Sequence, residues 1–430
     1  AAAQWLPSVV CKEDVTVITS GKDDLPAETK KNVIVVTSYD LIVTRKQEYA
    51  ARKFGIVILD ESHYIKSFNS KRYKAVREVV ARSARQLLML SGTPALSRPA
   101  ELFTQLNLLQ SQTFKAFKDF AFRYCDGKVD PRFGLKSDGA TNMEELQLLM
   151  EETVMIRRLK ADVMNQLPEK LRQMIVLDKS SVKSNLKALE EARKGMDKEG
   201  LSGSDRRTAL MHFFRETAVA KLEACKDFVL HALESTDDKM LVFANHKCMM
   251  NVLQEYIEEK GYEYIRIDGN TPSQVRRNLV EEFQTRDSIR VAVLSITATS
   301  MGLTLTAATH VIFAELFWNP GVLLQAEDRV HRVGQKQSVF IQYLVAKGTA
   351  DDFIWPLVNK KLDVLHKVGL SEDNFRNADT TLIGDTSKDL HNQSLSGFLE
   401  QIAEEDPNAT IFDDPEEVAG PAKKRSKILS

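Results

Sequence analysis

Short runs of β-branched and aliphatic residues alternate with polar, helix-like segments in the first part of the chain. These apolar runs occupy residues 14–20, 32–39, 54–60 and 86–91. Such runs are typical of strands that are buried on both faces of a parallel sheet. Segments with helical spacing, such as residues 70–82, then connect one strand to the next. The pattern predicts a doubly wound α/β fold, in which ligands bind beyond the carboxyl ends of the strands.

The second half of the chain repeats this alternation. Five further strands are predicted, at residues 239–244, 262–268, 290–295, 310–314 and 339–345. Helical spacing predicts connecting helices over residues 247–260 and 272–285. The chain therefore reads as two α/β halves.

The segment between the halves is less regular. Within residues 113–149 it holds five aromatic side chains: Phe114, Phe117, Phe120, Phe122 and Tyr124. They predict a helical packing layer, with a DNA-facing protrusion as the alternative. Residues 180–200 read as a mostly solvated helix, and residues 205–235 read as a helix that leads into the second half.

Composition narrows the class of protein. A chain of 430 residues with 43% hydrophobic residues suggests two or three domains. No apolar stretch reaches the length of a membrane span, so no membrane partner is expected. The four cysteines are widely spaced and read as reduced core residues of an intracellular protein. A net charge of -1 neither supports nor excludes nucleic acid as a partner.

Two carboxylates stand at the end of the third apolar run, at Asp60 and Glu61. A strand that delivers such a pair into a crevice suits a magnesium nucleotide: Asp60 can hold the metal, and Glu61 can orient or deprotonate the attacking water. The alternative is a helix N-cap followed by a first-turn acid. The next run ends in the string 91–94 with the same strand-to-loop layout, which favours the chemical interpretation.

Polar clusters follow the later strands as well. They comprise Asn245, His246, Lys247, Gly269, Ser295, Thr297 and Gly302. Small residues and hydroxyls let a backbone approach phosphates closely, so these residues are candidates for contacts with a nucleic-acid strand. Each cluster taken alone is also compatible with an ordinary turn.

Arg329 and Arg332 are three residues apart within the string 325–335, so on a helix they share one face. An arginine aimed at a transferring phosphoryl group supplies two parallel donors and a charge that is never lost. The alternative is a solvated, charged helix. An arginine of this kind needs a nucleotide site on which to act.

Together these motifs resemble the Swi/Snf family of helicase-like ATPases. Asp60-Glu61-Ser62-His63 followed by Ser91-Gly92-Thr93-Pro94 resembles the second and third motifs of helicase superfamily two. Residues 155–163 with Leu167-Pro168, and the arginine string, resemble motifs particular to Swi/Snf-type proteins. Residues 317–321 and 343–352 resemble the HepA-related subfamily, the annealing helicases.

The resemblance implies roles for individual residues. Catalytic roles fall on Asp60, Glu61, His63, Arg329 and Arg332, and nucleotide contacts fall on Gln325, Asp328 and Gly302. Coupling of the nucleotide state to DNA falls on Ser91, Gly92 and Thr93. Thr37 and Ser38 resemble a DNA-backbone loop, with a plain strand-end turn as the alternative. The implied cofactors are ATP and Mg²⁺, and the metal is held by Asp60 and Glu61 through the nucleotide.

The resemblance also implies an architecture and partners. We expect two RecA-like parallel-sheet lobes, an incomplete one over residues 1–110 and a second over 236–375. A helical insertion and linker over 111–235 and a disordered tail over 376–430 complete the chain. The implied partners are DNA, at forks or strand junctions, and the single-strand-binding protein RPA through a segment that this chain does not contain. The implied location is the nucleus, to which the basic cluster at 423–427 would also be suited.

One departure from the family weighs against activity. The sequence Gly-x-x-x-x-Gly-Lys-Ser/Thr, which binds phosphates, is missing. The nearest string ends in Gly21-Lys22-Asp23, and Thr16 stands where the first glycine is required. We therefore expect unpaired strand edges in the first lobe, a chain that begins partway through that lobe, and little or no ATP hydrolysis.

Three hypotheses follow. The chain represents an incomplete motor of an annealing helicase, a DNA- or partner-binding protein without catalysis, or a nucleosome-remodelling ATPase.

Overall fold

The computed structural model describes residues 10–27, 33–92, 94–95, 98–131, 134–137, 139–158, 167–177, 186–196, 203–297 and 302–367. The chain divides into two compact units. Unit 1 comprises residues 1–156 with 364–371, and unit 2 comprises residues 157–363 with 372–430. The tail predicted over 376–430 lies outside the described residues.

Four short strands form the α/β part of unit 1 and confirm the four predicted positions. They are β1 (Val15–Val17), β2 (Ile34–Val36), β3 (Phe54–Leu59) and β4 (Ala84–Met89). β1 pairs with β2, and β3 pairs with β4, both in parallel. The connecting helices are α1 (Tyr39–Thr44), α2 (Lys46–Ala51) and α3 (Lys71–Ser83).

One face of the β3–β4 pair is apolar and open. Ile56, Ile58, Leu88 and Leu90 are between 52% and 59% exposed. In the described part of unit 1, β3 pairs only with β4, and β1 pairs only with β2. Among the described residues, β3 and β4 therefore each have one edge without a strand partner, and the same holds for β1 and β2.

The rest of unit 1 is helical. It contains α4 (Phe103–Leu109), α5 (Phe117–Tyr124) and α6 (Met143–Thr153), with an antiparallel hairpin of β5 (Lys128–Asp130) and β6 (Gly134–Lys136). The aromatic segment packs as predicted: Phe114, Phe120 and Tyr124 are buried, and their rings lie 5.1–6.1 Å apart. Phe122 is the exception, since it faces solvent.

Unit 2 is built on one parallel sheet of six strands in the order β7-β12-β11-β8-β10-β9. Its strands are β7 (Lys170–Val176), β8 (Met240–Ala244), β9 (Glu263–Ile267), β10 (Ile289–Ser295), β11 (His310–Phe313) and β12 (Val339–Val345). The five strands predicted for this half are confirmed. β7 was not predicted, because its alternating cations interrupt the apolar run, and it lies in the stretch expected to be helix and linker.

Helices cover both faces of this sheet. They are α7 (Leu186–Met196), α8 (Gly203–Ser235), α9 (Lys247–Glu259), α10 (Ser273–Thr285), α11 (Pro320–Glu327) and α12 (Asp351–Lys367), of which residues 364–367 are assigned to unit 1. The central strand β8 shows why: Leu241 and Phe243 enter one core cluster, while Met240 and Val242 enter the other. Alternate residues of a strand point to opposite faces, so a strand buried on both sides is apolar throughout. In the described part of the chain, no helix is both long enough and apolar enough to cross a bilayer.

The helix predicted through Arg329 and Arg332 is wrong, because α11 ends at Glu327 and turns follow. The amide of His331 still reaches the Glu327 carbonyl, but the amide of Arg332 bonds to Val330 O, which breaks the helical period. Gly334, at φ 102°, then takes a left-handed conformation that favours glycine.

The cysteines differ in their expected reactivity. All four are free, with Cys125 and Cys225 buried and Cys11 exposed, so the prediction of four core cysteines is wrong for Cys11. Burial raises the pKa of Cys225 to about 12 and that of Cys248 to about 11, and both therefore remain protonated thiols at pH 8.

We expect Ellman's reagent to modify one thiol rapidly in the native protein, because only Cys11 is exposed among the four cysteines. Cys11→Ser should abolish that rapid phase. Rapid modification of two or more thiols would contradict this assignment.

Candidate functional site

The carboxylate pair lies at the carboxyl end of β3, as predicted. Asp60 is exposed, and its Oδ1 accepts a hydrogen bond of 3.0 Å from the amide of Glu61. The Tyr39 hydroxyl donates to the Asp60 carbonyl at 2.8 Å. Glu61 has φ 48° in the left-handed region, a strained backbone that persists only where surrounding bonds enforce it.

His63 joins the two strand-end loops of unit 1. Its Nδ1 lies 3.2 Å from Ser91 Oγ and 3.3 Å from Glu61 Oε2, and the ring is buried against Tyr64. Residues predicted from two separate strings therefore meet at one imidazole. The two loops are therefore linked through this ring.

Gln105 was missed in the sequence, although it links the same two loops. Its Oε1 accepts from Ser62 Oγ at 2.7 Å, and its Nε2 donates to the Pro94 carbonyl at 2.6 Å. The sequence signal that could have identified Gln105 is its polar side chain on the apolar face of α4. Gly92 is exposed with open space around it, and Thr93 lies outside the described residues.

Thr37 and Ser38 take up local structural positions. Ser38 is the N-cap of α1, and its hydroxyl accepts from the amide of Leu41 at 3.2 Å. The Thr37 hydroxyl accepts from the Tyr49 hydroxyl at 2.9 Å. The turn interpretation accounts for these bonds, and a DNA contact through the pair stays a prediction.

The described residues fit a magnesium nucleotide only in part. The exposed Asp60 carboxylate is a suitable oxygen ligand for Mg²⁺. The turn at 19–23 does not offer a phosphate cradle, because Asp23 Oδ2 already accepts from the amides of Thr19 (2.7 Å) and Ser20 (3.0 Å). These amide bonds lower the pKa of Asp23 to about 2, so the carboxylate keeps its charge and its place.

In unit 2, the first polar cluster is turned inward. Glu315 Oε2 accepts from the amides of Asn245 (2.8 Å) and His246 (2.9 Å), and its Oε1 lies 2.5 Å from His246 Nδ1. Burial opposes the charge on Glu315, but His246 and the two amides outweigh it, and the pKa is lowered. Asn245 and His246 are themselves buried, whereas Lys247, the first residue of α9, is half-buried.

The remaining strand-end residues lie at the ends of two strands, β9 and β10. Gly269 is exposed after β9, and its carbonyl accepts from Arg276 at 3.1 Å. Ser295 is the last residue of β10 and Thr297 follows it, with their hydroxyls 3.0 Å apart. Gly302 has φ 72°, a conformation that a side chain would disfavour.

The two arginines have different environments. Arg329 is 8% exposed, and its carbonyl accepts from the amide of Leu305 at 2.9 Å. Arg332 is exposed, and its Nη1 lies 3.3 Å from Thr304 Oγ1. Gln325 and Asp328 are half-buried beside them. Of the two guanidinium groups, that of Arg332 is accessible to a ligand.

Comparison with known proteins assigns the chain to a family. The SNF2-related domain family matches residues 8–223, and the helicase conserved C-terminal domain family matches residues 220–334. A solved structure, the Sulfolobus solfataricus SWI2/SNF2 ATPase core in complex with dsDNA, is 21% identical with a TM-score of 0.39, covering 88% of this chain and 81% of that one.

Curated relatives are more similar in sequence. The SWI/SNF-related matrix-associated actin-dependent regulator of chromatin subfamily A-like protein 1 of Xenopus laevis is 44% identical over 99% of this chain and 45% of its own length. The DNA annealing helicase and endonuclease ZRANB3 of Homo sapiens is 37% identical over 99% of this chain and 41% of its own length. The chain thus spans less than half the length of these two relatives. It belongs to the SNF2-related family and, within it, to the HepA-related group that the sequence resembles.

Proposed function

We propose that the chain carries the DNA-engaging and arginine-bearing parts of an ATP-dependent annealing helicase that remodels stalled forks in the nucleus. The observation that carries the proposal is the contact of Glu61, His63 and Ser91 at one ring. That contact joins the loop suited to activating water with the loop suited to signalling the nucleotide state to DNA. In unit 2, the exposed Arg332 supplies the guanidinium that phosphoryl transfer requires.

The residues that would hold the nucleotide form an incomplete set in this chain. Asp60 would hold Mg²⁺, which supplies charge neutralisation when it is bound with ATP. In the 19–23 turn, the amides of Thr19 and Ser20 donate to Asp23 and are not open to phosphates. We therefore propose that the chain by itself hydrolyses ATP little or not at all. This turn also favours the second candidate, a DNA- or partner-binding protein without catalysis.

DNA is the proposed partner, bound through its phosphate backbone rather than its base edges. Exposed Gly269 and the hydroxyls of Ser295 and Thr297 are suited to phosphate contacts. Such contacts predict affinity that falls steeply as salt rises. A contact with RPA is proposed only for a longer protein, through residues not in this chain.

The test is a paired measurement on the purified chain. We expect forked DNA to bind with a salt-dependent affinity, measured by fluorescence anisotropy, and ATP turnover to stay at background with and without DNA. Glu61→Gln is the matched control, and it should change neither result. Absence of DNA binding would overturn the proposed function. DNA-stimulated turnover that Glu61→Gln removes would instead show that the chain is a complete ATPase.

A further inference from the structure

Glu327 is a buried carboxylate at the end of α11, two residues before Arg329, and it is fully enclosed by unit 2. It accepts hydrogen bonds from Lys170 Nζ at 3.0 Å, from Arg172 Nε and Nη2 at 2.7 and 2.6 Å, and from the Tyr343 hydroxyl at 2.7 Å. One acid is thus surrounded by two cations and a phenol, more than its own neutralisation requires.

The two cations come from one face of one strand. Lys170 and Arg172 are two residues apart on β7, so their side chains project to the same side. β7 pairs with β12 along its whole length, from Lys170↔Val339 to Val176↔Val345, which fixes the height of both cations relative to Tyr343. The strand is the first element of unit 2 among the described residues.

The same segment holds the arginine string at a second point. His331 Nε2 lies 2.8 Å from the Pro168 carbonyl. Glu327 and His331 therefore flank Arg329, and both are tied to residues 168–172. Beyond them, Gln335 donates to the carbonyls of Thr306 and Ala308 at 3.1 and 2.9 Å, which closes the loop that contains Arg332.

An ionic cluster of this kind is a poor means of gaining stability, because apolar residues of the same volume stabilise a core at least as well. Such a cluster instead holds its side chains in one defined arrangement, since each hydrogen bond has a fixed direction. We propose that Glu327 is a positioning residue: with Lys170, Arg172 and the Pro168 carbonyl, it sets where the guanidinium groups of Arg329 and Arg332 point. The purpose of that placement rests on the proposed function. The placement itself does not.

Hydrogen exchange followed by mass spectrometry tests the placement without ATP hydrolysis. Glu327→Gln removes the charge and keeps the shape. We expect amide exchange in residues 328–336 to rise by about tenfold or more while β8 stays protected. Asp351→Asn weakens a buried ion pair elsewhere in unit 2. In this variant, amide exchange in residues 328–336 should rise by no more than it rises in β8.

Two results would overturn the proposal: unchanged exchange in 328–336, or an equal rise in the Asp351→Asn protein. If Glu327→Gln does not fold, Arg172→Lys decides instead, since it keeps the charge but loses the paired contact with both carboxylate oxygens. A chain that binds no DNA would end the proposed function, and the exchange experiment would still decide the role of Glu327.

Discussion

Replacing Lys221 by methionine is expected to lower the free energy of unfolding of unit 2 by about 3–5 kcal/mol. Lys221 is fully buried, and its Nζ donates to Asp351 Oδ2 at 2.8 Å and to the Leu344 carbonyl at 2.7 Å. Burial opposes the charge on Lys221, but Asp351 outweighs it, and the pKa is raised. Without the lysine, the buried Asp351 side chain loses its ion-pair partner, so its desolvation is no longer compensated by that pair.

The measurement is urea unfolding followed by the fluorescence of Trp318 and Trp355, in a background where Trp5 is replaced by phenylalanine. Adding Asp351→Asn to Lys221→Met should restore most of the loss, because the amide oxygen still accepts from Ala346 N without a buried charge. Arg286→Met, which breaks an exposed pair with Glu263, should cost less than about 1 kcal/mol. A loss below that value for Lys221→Met would contradict the argument.

The second large effect concerns Arg332. In a hybrid that carries an added Gly-x-x-x-x-Gly-Lys-Ser/Thr phosphate-binding segment, we expect DNA-stimulated ATP hydrolysis. Arg332→Ala should then lower kcat by about 10³–10⁵. The reason is that Arg332 is exposed, whereas Arg329 is buried. Steady-state turnover at saturating ATP and DNA measures the effect.

Arg332→Lys is the matched control, because it keeps the charge and loses the planar pair of donors. It should recover only part of the rate. A hybrid that retains full turnover without Arg332 would remove this residue from the proposed site.

The strands were predictable because parallel strands buried on both faces must be apolar along their length, as β8 is. The placement of Asp60 and Glu61 followed from that, since ligands bind where such strands end. β7 was missed because Lys170 and Arg172 look like solvated charges until their shared acid, Glu327, is known. The burial of Asn245 and His246 was missed for the same reason: Glu315, which accepts hydrogen bonds from both amides, lies about seventy residues away in sequence.

The open apolar face of β3 and β4 bears on where the chain first opens and becomes a protease substrate. Two-stranded sheets are marginal by themselves, whereas the central strands of unit 2 are covered on both sides. We therefore expect partial opening, and the proteolysis that samples it, to begin in unit 1 rather than in the arginine-bearing unit 2.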